Sequence, residues 1–173
     1  MNKIFWGLLF LFLNFNINNV DILPNFVGYL LIAFGMDEVK ESRSLASAKP
    51  LASGAAFFAI ATWVMGLLGG SLGWGDAILG MISLTLQLMV TYRIAMGVKE
   101  LEPIRERDLG SGALNRAWQV MALGSVLGYL LFLLAPAAAV AAMIVAFLAA
   151  VYYIYRFYRT KTEYDTGLGG GQP

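Results

Sequence analysis

Six hydrophobic segments divide the chain, and their lengths limit the folds that it can adopt. They lie at residues 4–17, 22–36, 51–68, 77–98, 118–134 and 135–158. A helix needs ~20 residues to cross the ~30 Å hydrocarbon core of a membrane. The last four segments reach or approach that length, whereas the first two are too short. The sequence therefore predicts an all-α fold, a polytopic membrane helical bundle with six hydrophobic segments.

The composition agrees with a membrane protein. Hydrophobic residues make up 59% of the chain and charged residues 13%, against ~25% charged residues in a soluble domain. The net charge of +1 offers no basic face for a phosphate backbone, so no nucleic acid partner is expected. We expect one integral membrane helical domain, residues 1–162, and a flexible cytoplasmic tail, residues 163–173, whose Gly-rich sequence has little apolar surface with which to order itself.

The basic residues indicate how the chain is oriented in the membrane. If six segments cross and the N-terminus is inside, all 12 Lys and Arg residues fall on the inner side, and the outer side carries only Asp21 and Asp76. Cytoplasmic loops normally carry such an excess of Lys and Arg. The sequence thus predicts a multi-pass protein of the cell membrane, surrounded by the lipid bilayer, with both termini cytoplasmic.

The polar stretch NFNINNVDILPN, residues 14–25, joins the two short segments and allows two arrangements. Both segments cross the membrane in the first, where Asp21 caps the second helix and Pro24 lies in its first turn. They form a re-entrant hairpin in the second, and the polar tip lies at depth beside protein or water. The charge distribution fits both. Two short crossings are favoured, because a buried tip must satisfy every amide.

The cytoplasmic connections and the end of the last segment carry further signals. We expect the second helix to continue through residues 37–49, the third to start at Pro50, and Ser111 to cap the fifth. Five aromatic residues near the end of the last segment are typical of an interfacial anchor; they are Tyr152, Tyr153, Tyr155, Phe157 and Tyr158.

A polar stripe marks the fourth segment. Its members recur every three or four residues and share one helix face; they are Asp76, Gly80, Ser83, Gln87 and Thr91. Polar groups in hydrocarbon need partners, so the stripe should face the bundle. Hydrogen bonds between helices are the favoured interpretation, and the wall of a polar cavity is the alternative.

Small residues recur on single faces of other segments. They include Gly28 and Gly35 in the second segment and Gly124 and Gly128 in the fifth. Such positions let helix backbones approach closely. Packing within the chain is favoured over a homodimer.

The residues absent from the chain exclude several kinds of chemistry. It contains no Cys and no His. It therefore lacks the thiolate and imidazole groups that enzymes most often use as nucleophile, general base and zinc ligand. A Ser/Lys pair would need a Lys within the membrane, and every Lys lies at its edge. We therefore predict no enzyme, no metal site and no cofactor.

The N-terminal part of the chain also contains the pattern L-P-[DN]-F-[IV]-G-Y. A Gly and a cluster of acidic, Ser and Arg residues follow it. The residues that match the pattern and these later features are Leu23, Pro24, Phe26, Val27, Gly28, Tyr29, Gly35, Glu38, Glu41, Ser42 and Arg43. This stretch resembles the signature of a family of small multi-pass membrane proteins from Gram-positive bacteria. Asn25 stands where the family has Asp, so a role of that carboxylate does not carry over. The resemblance implies a bacterial membrane location and this architecture, and it implies no specific activity.

These observations favour a non-enzymatic binding, accessory or regulatory membrane protein, with a membrane or cytoplasmic protein as its partner. The alternative is a small transporter or substrate-binding membrane subunit with a polar cavity between its helices. The candidate substrate-binding residues are Asp21, Asn25, Tyr29, Ser83 and Gln87.

Overall fold

A computed structural model describes residues 1–12, 16–17, 20–21, 25–39, 41–68, 74–132 and 134–169. In these ranges the chain forms a bundle of α-helices with a short antiparallel strand pair between the first two. The elements are α1 (Asn2–Phe12), β1 (Asn16–Ile17), β2 (Val20–Asp21), α2 (Asn25–Met36), α3 (Arg43–Leu67), α4 (Trp74–Arg105), α5 (Ser111–Leu131) and α6 (Pro136–Gly169). The predicted all-α helical bundle is confirmed.

Three of the described helices are long and apolar enough to cross a membrane, namely α3, α4 and residues 136–166 of α6. They make the chain a membrane protein. Helices α1 and α2 are apolar but have only 11 and 12 residues, which corresponds to a rise of about 16–18 Å each. The strand pair follows α1, with Asn16 opposite Asp21 and Ile17 opposite Val20.

The helices pack in chain order, and α1 also packs against α6, so that the bundle closes on itself. Most buried apolar side chains belong to one cluster, which includes Ile4 of α1, Ile32 of α2, Ile94 of α4 and Tyr153 of α6. This core lies towards one end of the bundle, which also holds the ion pairs Lys3–Glu38, Lys49–Asp37 and Arg105–Glu41. We call this end of the bundle the basic end.

Glycines allow the closest helix contacts. A Cβ atom at Gly7 of α1 would lie 2.6 Å from the carbonyl oxygen of Gly28 in α2, and a Cβ atom at Gly28 would lie 2.8 Å from that of Gly7. In α5, a Cβ atom at Gly124 would lie 3.0 Å from the carbonyl oxygen of Ala142 in α6. The predicted use of Gly28 and Gly124 for packing within the chain is confirmed.

Several predicted boundaries at the basic end were wrong. Helix α2 stops at Met36 instead of continuing to residue 49, and α3 starts at Arg43 and contains Pro50. Ser42 is its N-cap, because its hydroxyl accepts a hydrogen bond from the Leu45 N–H at 3.2 Å. Pro50 therefore lies two turns inside α3, where it has no N–H to donate to the main-chain carbonyl four residues before it.

Two glutamates of α4 cap the helices on either side. Glu100 accepts hydrogen bonds from the Ser42 hydroxyl at 2.7 Å, from the Ser44 N–H at 2.9 Å and from the Ser44 hydroxyl. Glu102 accepts hydrogen bonds from the Ser111 N–H at 2.8 Å and from the Ser111 hydroxyl at 2.6 Å. Ser111 is the first residue of α5 and Gly110 is its N-cap, so the predicted cap at Ser111 was wrong. Glu102 supplies the acceptor that a capping side chain would provide.

Helix α6 extends further than predicted. It continues to Gly169, so the first part of the stretch expected to form a tail, residues 163–169, is helical. Tyr164 is buried there, and its hydroxyl accepts a hydrogen bond from the Arg105 guanidinium at 3.1 Å. The same guanidinium lies 4.8 Å from the centre of the tyrosine ring. These contacts hold the extension to α4, which composition alone did not indicate.

Candidate functional site

A cavity of about 300 Å³ lies between α4, α5 and α6 and reaches Phe12 at the end of α1. Three polar side chains line it: Gln87 of α4, and Ser125 and Tyr129 of α5. Its other lining residues are apolar; they are Phe12, Leu84, Leu88, Met121, Met143, Ala146, Phe147 and Ala150. The site is thus a mainly apolar pocket, open to the surface of the bundle, with amide and hydroxyl groups on two adjoining walls.

These polar groups have no hydrogen-bond partner among the described residues. The carboxamide of Gln87 and the hydroxyls of Ser125 and Tyr129 all lack one. The main-chain carbonyl of Gln87 is occupied, because the Thr91 hydroxyl donates to it at 2.8 Å. An amide or hydroxyl in an apolar setting is unfavourable without a partner. The cavity therefore offers unused donors and acceptors to a molecule inside it.

Hydrogen bonds towards the basic end fix the helices around the cavity. The indole N–H of Trp118 in α5 donates to the Leu88 carbonyl of α4 at 3.0 Å. The hydroxyl of Tyr153 in α6 donates to the Thr91 carbonyl of α4 at 2.7 Å. The rings of Phe12 and Tyr153 are 6.2 Å apart. Together these contacts join α1, α4, α5 and α6 just below the cavity.

The residues predicted to bind a substrate do not gather in one place. Gln87 lines the cavity, whereas Ser83, one turn away on α4, is half-buried and outside the lining. Tyr29 is buried in the main core. The side-chain oxygen of Asn25 at the start of α2 is buried without a hydrogen bond among the described residues. Asp21 belongs to β2, not to the cap of α2, and its side chain lies outside the described part.

The members of the polar stripe of α4 lie in different surroundings. Asp76 is exposed. Gly80 leaves room for the Tyr129 hydroxyl, because a Cβ added at Gly80 would come within 2.9 Å of it. Gln87 faces the cavity. The buried hydroxyl of Thr91 donates to carbonyls of its own helix. The favoured interpretation, hydrogen bonds from the stripe to other helices, does not describe the Thr91 hydroxyl, because carbonyl oxygens of α4 itself accept its hydrogen bonds.

Sequence reasoning missed Ser125 and Tyr129 as site residues. Their spacing of four was an available signal, because it places two polar groups on one face of an apolar helix. It also assigned Tyr153 and Phe157 to an interfacial anchor, but both are buried. Tyr152, Tyr155 and Tyr158 are exposed, so the helical period divides the aromatic group between the core and the surface.

A second cavity lies at the basic end and has a different character. Its volume is about 280 Å³, and charged side chains of both signs line it, including Arg105, Glu106, Arg107 and Glu163. Glu106 has a positive φ of 49°, which is uncommon for a residue with a side chain. The described residues contain no group of three or more His, Cys, Asp or Glu that could hold a metal ion.

Comparison of the chain with protein families, with curated proteins and with solved structures gave no match.

Proposed function

We propose that the protein is a non-enzymatic binding protein of the membrane, and that its ligand occupies the cavity between α4, α5 and α6. The ligand is a small, mainly apolar molecule with one polar group that exchanges hydrogen bonds with Gln87, Ser125 and Tyr129. The observation that carries this proposal is the set of three polar side chains without described partners in an otherwise apolar pocket.

Size and chemistry support binding. A volume of about 300 Å³ is at the lower end of the range for small-molecule sites, which are mostly apolar with a few placed polar groups. The described lining contains no carboxylate, Lys or Arg, and the chain has no His or Cys. Orientation of a ligand suits these groups better than proton transfer.

The orientation in the membrane belongs to the same proposal. The basic end faces the cytoplasm of the cell, and both termini lie on that side of the cell membrane. All Lys and Arg residues of the chain would then lie in its cytoplasmic half, in agreement with the usual charge bias of cytoplasmic loops.

The test is to identify what co-purifies with the protein. The full chain is extracted from its membrane in detergent, and organic extracts are analysed by mass spectrometry. Ser125→Phe places a ring in the cavity, and Leu123→Phe places the same ring at an exposed position of α5. We expect one small molecule to be depleted at least about tenfold in the Ser125→Phe extract and to be retained in the Leu123→Phe extract, since a filled cavity excludes it.

A third variant tests the polar group. Gln87→Leu keeps the size of the side chain and removes the amide, while Met89→Leu changes an exposed neighbour on α4. Loss of one hydrogen bond should weaken retention about fivefold to tenfold in Gln87→Leu and leave it unchanged in Met89→Leu. If all variants carry the same molecules in the same amounts, the cavity is not a binding site and the proposal fails.

A further inference from the structure

A groove on the surface of the bundle runs between α5 and α6, apart from the cavity described above. Its volume is about 380 Å³. Arg116 and Val120 line it from α5, and Val145, Leu148 and Tyr152 line it from α6. Two buried alanines complete its wall. The groove thus has one cation, one tyrosine and otherwise aliphatic side chains.

Arg116 has hydrogen-bonding capacity to spare. Its Nε donates to the Gly112 carbonyl of its own helix at 3.3 Å. Within the described part of the chain it takes part in no ion pair, and its side chain is exposed. A guanidinium offers five N–H donors in a planar fork that matches the oxygens of a phosphate group. The terminal nitrogens of Arg116 therefore remain for an anionic partner.

The groove is polar at one end only. Arg116 lies in the first turns of α5, whose start is held at the basic end: the Thr160 hydroxyl of α6 donates to the Leu109 carbonyl at 2.6 Å. The walls of the groove continue from there away from the basic end. They reach Val120 on α5 and Val145 on α6, and Val145 lies two turns from Tyr152. That is about 10 Å of apolar groove parallel to the helices.

We infer that this groove binds a phospholipid with a negatively charged headgroup. The phosphate oxygens accept hydrogen bonds from Arg116 near the membrane surface, and an acyl chain lies along Val120, Val145 and Leu148. Charge complementarity selects an anionic headgroup over a zwitterionic one, whose own cation competes for the phosphate. This site is independent of the ligand proposed for the cavity.

A helix of a second copy fits the groove less well. It would cover Arg116 with apolar surface, and an unpaired guanidinium within a membrane is unfavourable. Along the groove itself no described acidic residue is present to compensate it. A lipid supplies the anion and the apolar chain in one molecule.

Native mass spectrometry of the full chain in detergent tests the site. The probes are phosphatidylglycerol and phosphatidylcholine with identical acyl chains. We expect wild type to bind the first phosphatidylglycerol about fivefold more tightly than phosphatidylcholine, as expected for one cation at a membrane surface. Arg116→Gln should abolish that preference. The control Arg43→Gln, which removes an exposed cation at the start of α3, should keep it.

A second pair of variants tests the apolar part of the groove. Leu148→Trp fills the groove while keeping Arg116, and should weaken the binding of both lipids; Leu123→Trp alters an equally exposed position outside it and should not. Three results would overturn the inference. They are an unchanged lipid preference in Arg116→Gln, wild-type binding of both lipids in Leu148→Trp, and a wild-type dimer that excludes lipid and dissociates on Leu148→Trp substitution.

Discussion

Single atoms decide how closely α1 and α2 pack. At Gly7, a Cβ would approach the Gly28 carbonyl oxygen to 2.6 Å and the Ile32 side chain equally closely. Since backbone cannot move aside as a flexible side chain does, Gly7→Ala should separate the two helices and destabilise the protein by about 1–3 kcal/mol. Thermal unfolding in detergent measures the loss. Gly54→Ala is the matched control, because a Cβ at Gly54 of α3 meets nothing within 4 Å; equal midpoints for both variants would contradict the packing.

One carboxylate at the basic end should make stability depend on pH. A hydrogen bond from Lys3, together with the charges of Lys3 and of the N-terminus, holds the pKa of Glu38 below its ordinary value of 4.5. A pKa lowered by folding gives a contribution that is present above pH 4.5 and is lost as the pH falls through the lowered pKa.

The measurement is the thermal midpoint between pH 7 and pH 3 in detergent. Wild type should exceed Glu38→Gln at neutral pH, and the difference should shrink below pH 4.5, the ordinary pKa of the group. Asp165→Asn, at an exposed position of α6, controls for a general loss of negative charge. A difference that stays constant over the whole range would show that the Lys3–Glu38 pair does not stabilise the fold.

At the scale of the helices, α4 provides acceptors for the first turns of its neighbours. Glu102→Ala removes the acceptor of the Ser111 N–H, the Ser111 hydroxyl and the Leu109 N–H, the last at 3.1 Å. Loss of a cap that satisfies several donors should cost about 1–3 kcal/mol and raise hydrogen exchange at the start of α5. Asp165→Ala is the control. Exchange at residues 109–113 that matches wild type would exclude this role of Glu102.

The same helices show why the lengths of elements were easier to predict than their ends. Long apolar runs identified α3, α4 and α6, because a membrane span leaves a strong and local signal. The starts of α3 and α5 depend on Glu100 and Glu102, and no pattern near Ser42 or Ser111 reveals an acceptor that lies on another helix. Likewise, Tyr164 orders the end of α6 through Arg105, a partner 59 residues away.

For the whole molecule, the depth of the strand pair can be measured. Helix α1 rises only about 16 Å, roughly half of the ~30 Å core, before the chain reaches β1 and β2. Open strand edges are tolerated at such depth only beside protein or water. The chain has no Cys, so single cysteines can be labelled cleanly. We expect Asp21→Cys to react with an impermeant reagent from outside far more slowly than Asp76→Cys.

Equal reaction of the two cysteines would instead support two short crossings, the arrangement that the sequence favoured. Asp108→Cys, in the connection between α4 and α5, is the control for the opposite side. It should react only when the reagent reaches the cytoplasmic face, if the basic end lies there.

The cavity was only partly predictable because it forms where helices distant in sequence meet. Gln87 was identified, since an amide in the middle of an apolar segment is unusual on its own. Ser125 and Tyr129 acquire their meaning only when α5 packs beside α4. Tyr29 and Asn25 resemble binding residues in sequence, yet the first belongs to the core of α1 and α2. The resemblance to a Gram-positive membrane family stays a prediction.

The capping of α3 by α4 also has a consequence for synthesis of the chain. Glu100 follows Ser44 by 56 residues and Ser42 by 58, so a ribosome delivers α3 long before its acceptor exists. The first turn of α3 is completed only after α4 has been synthesised and its last turns have packed beside the start of α3. A nascent chain that stops before residue 100 therefore lacks the acceptor of the Ser44 N–H and carries an incompletely capped third helix.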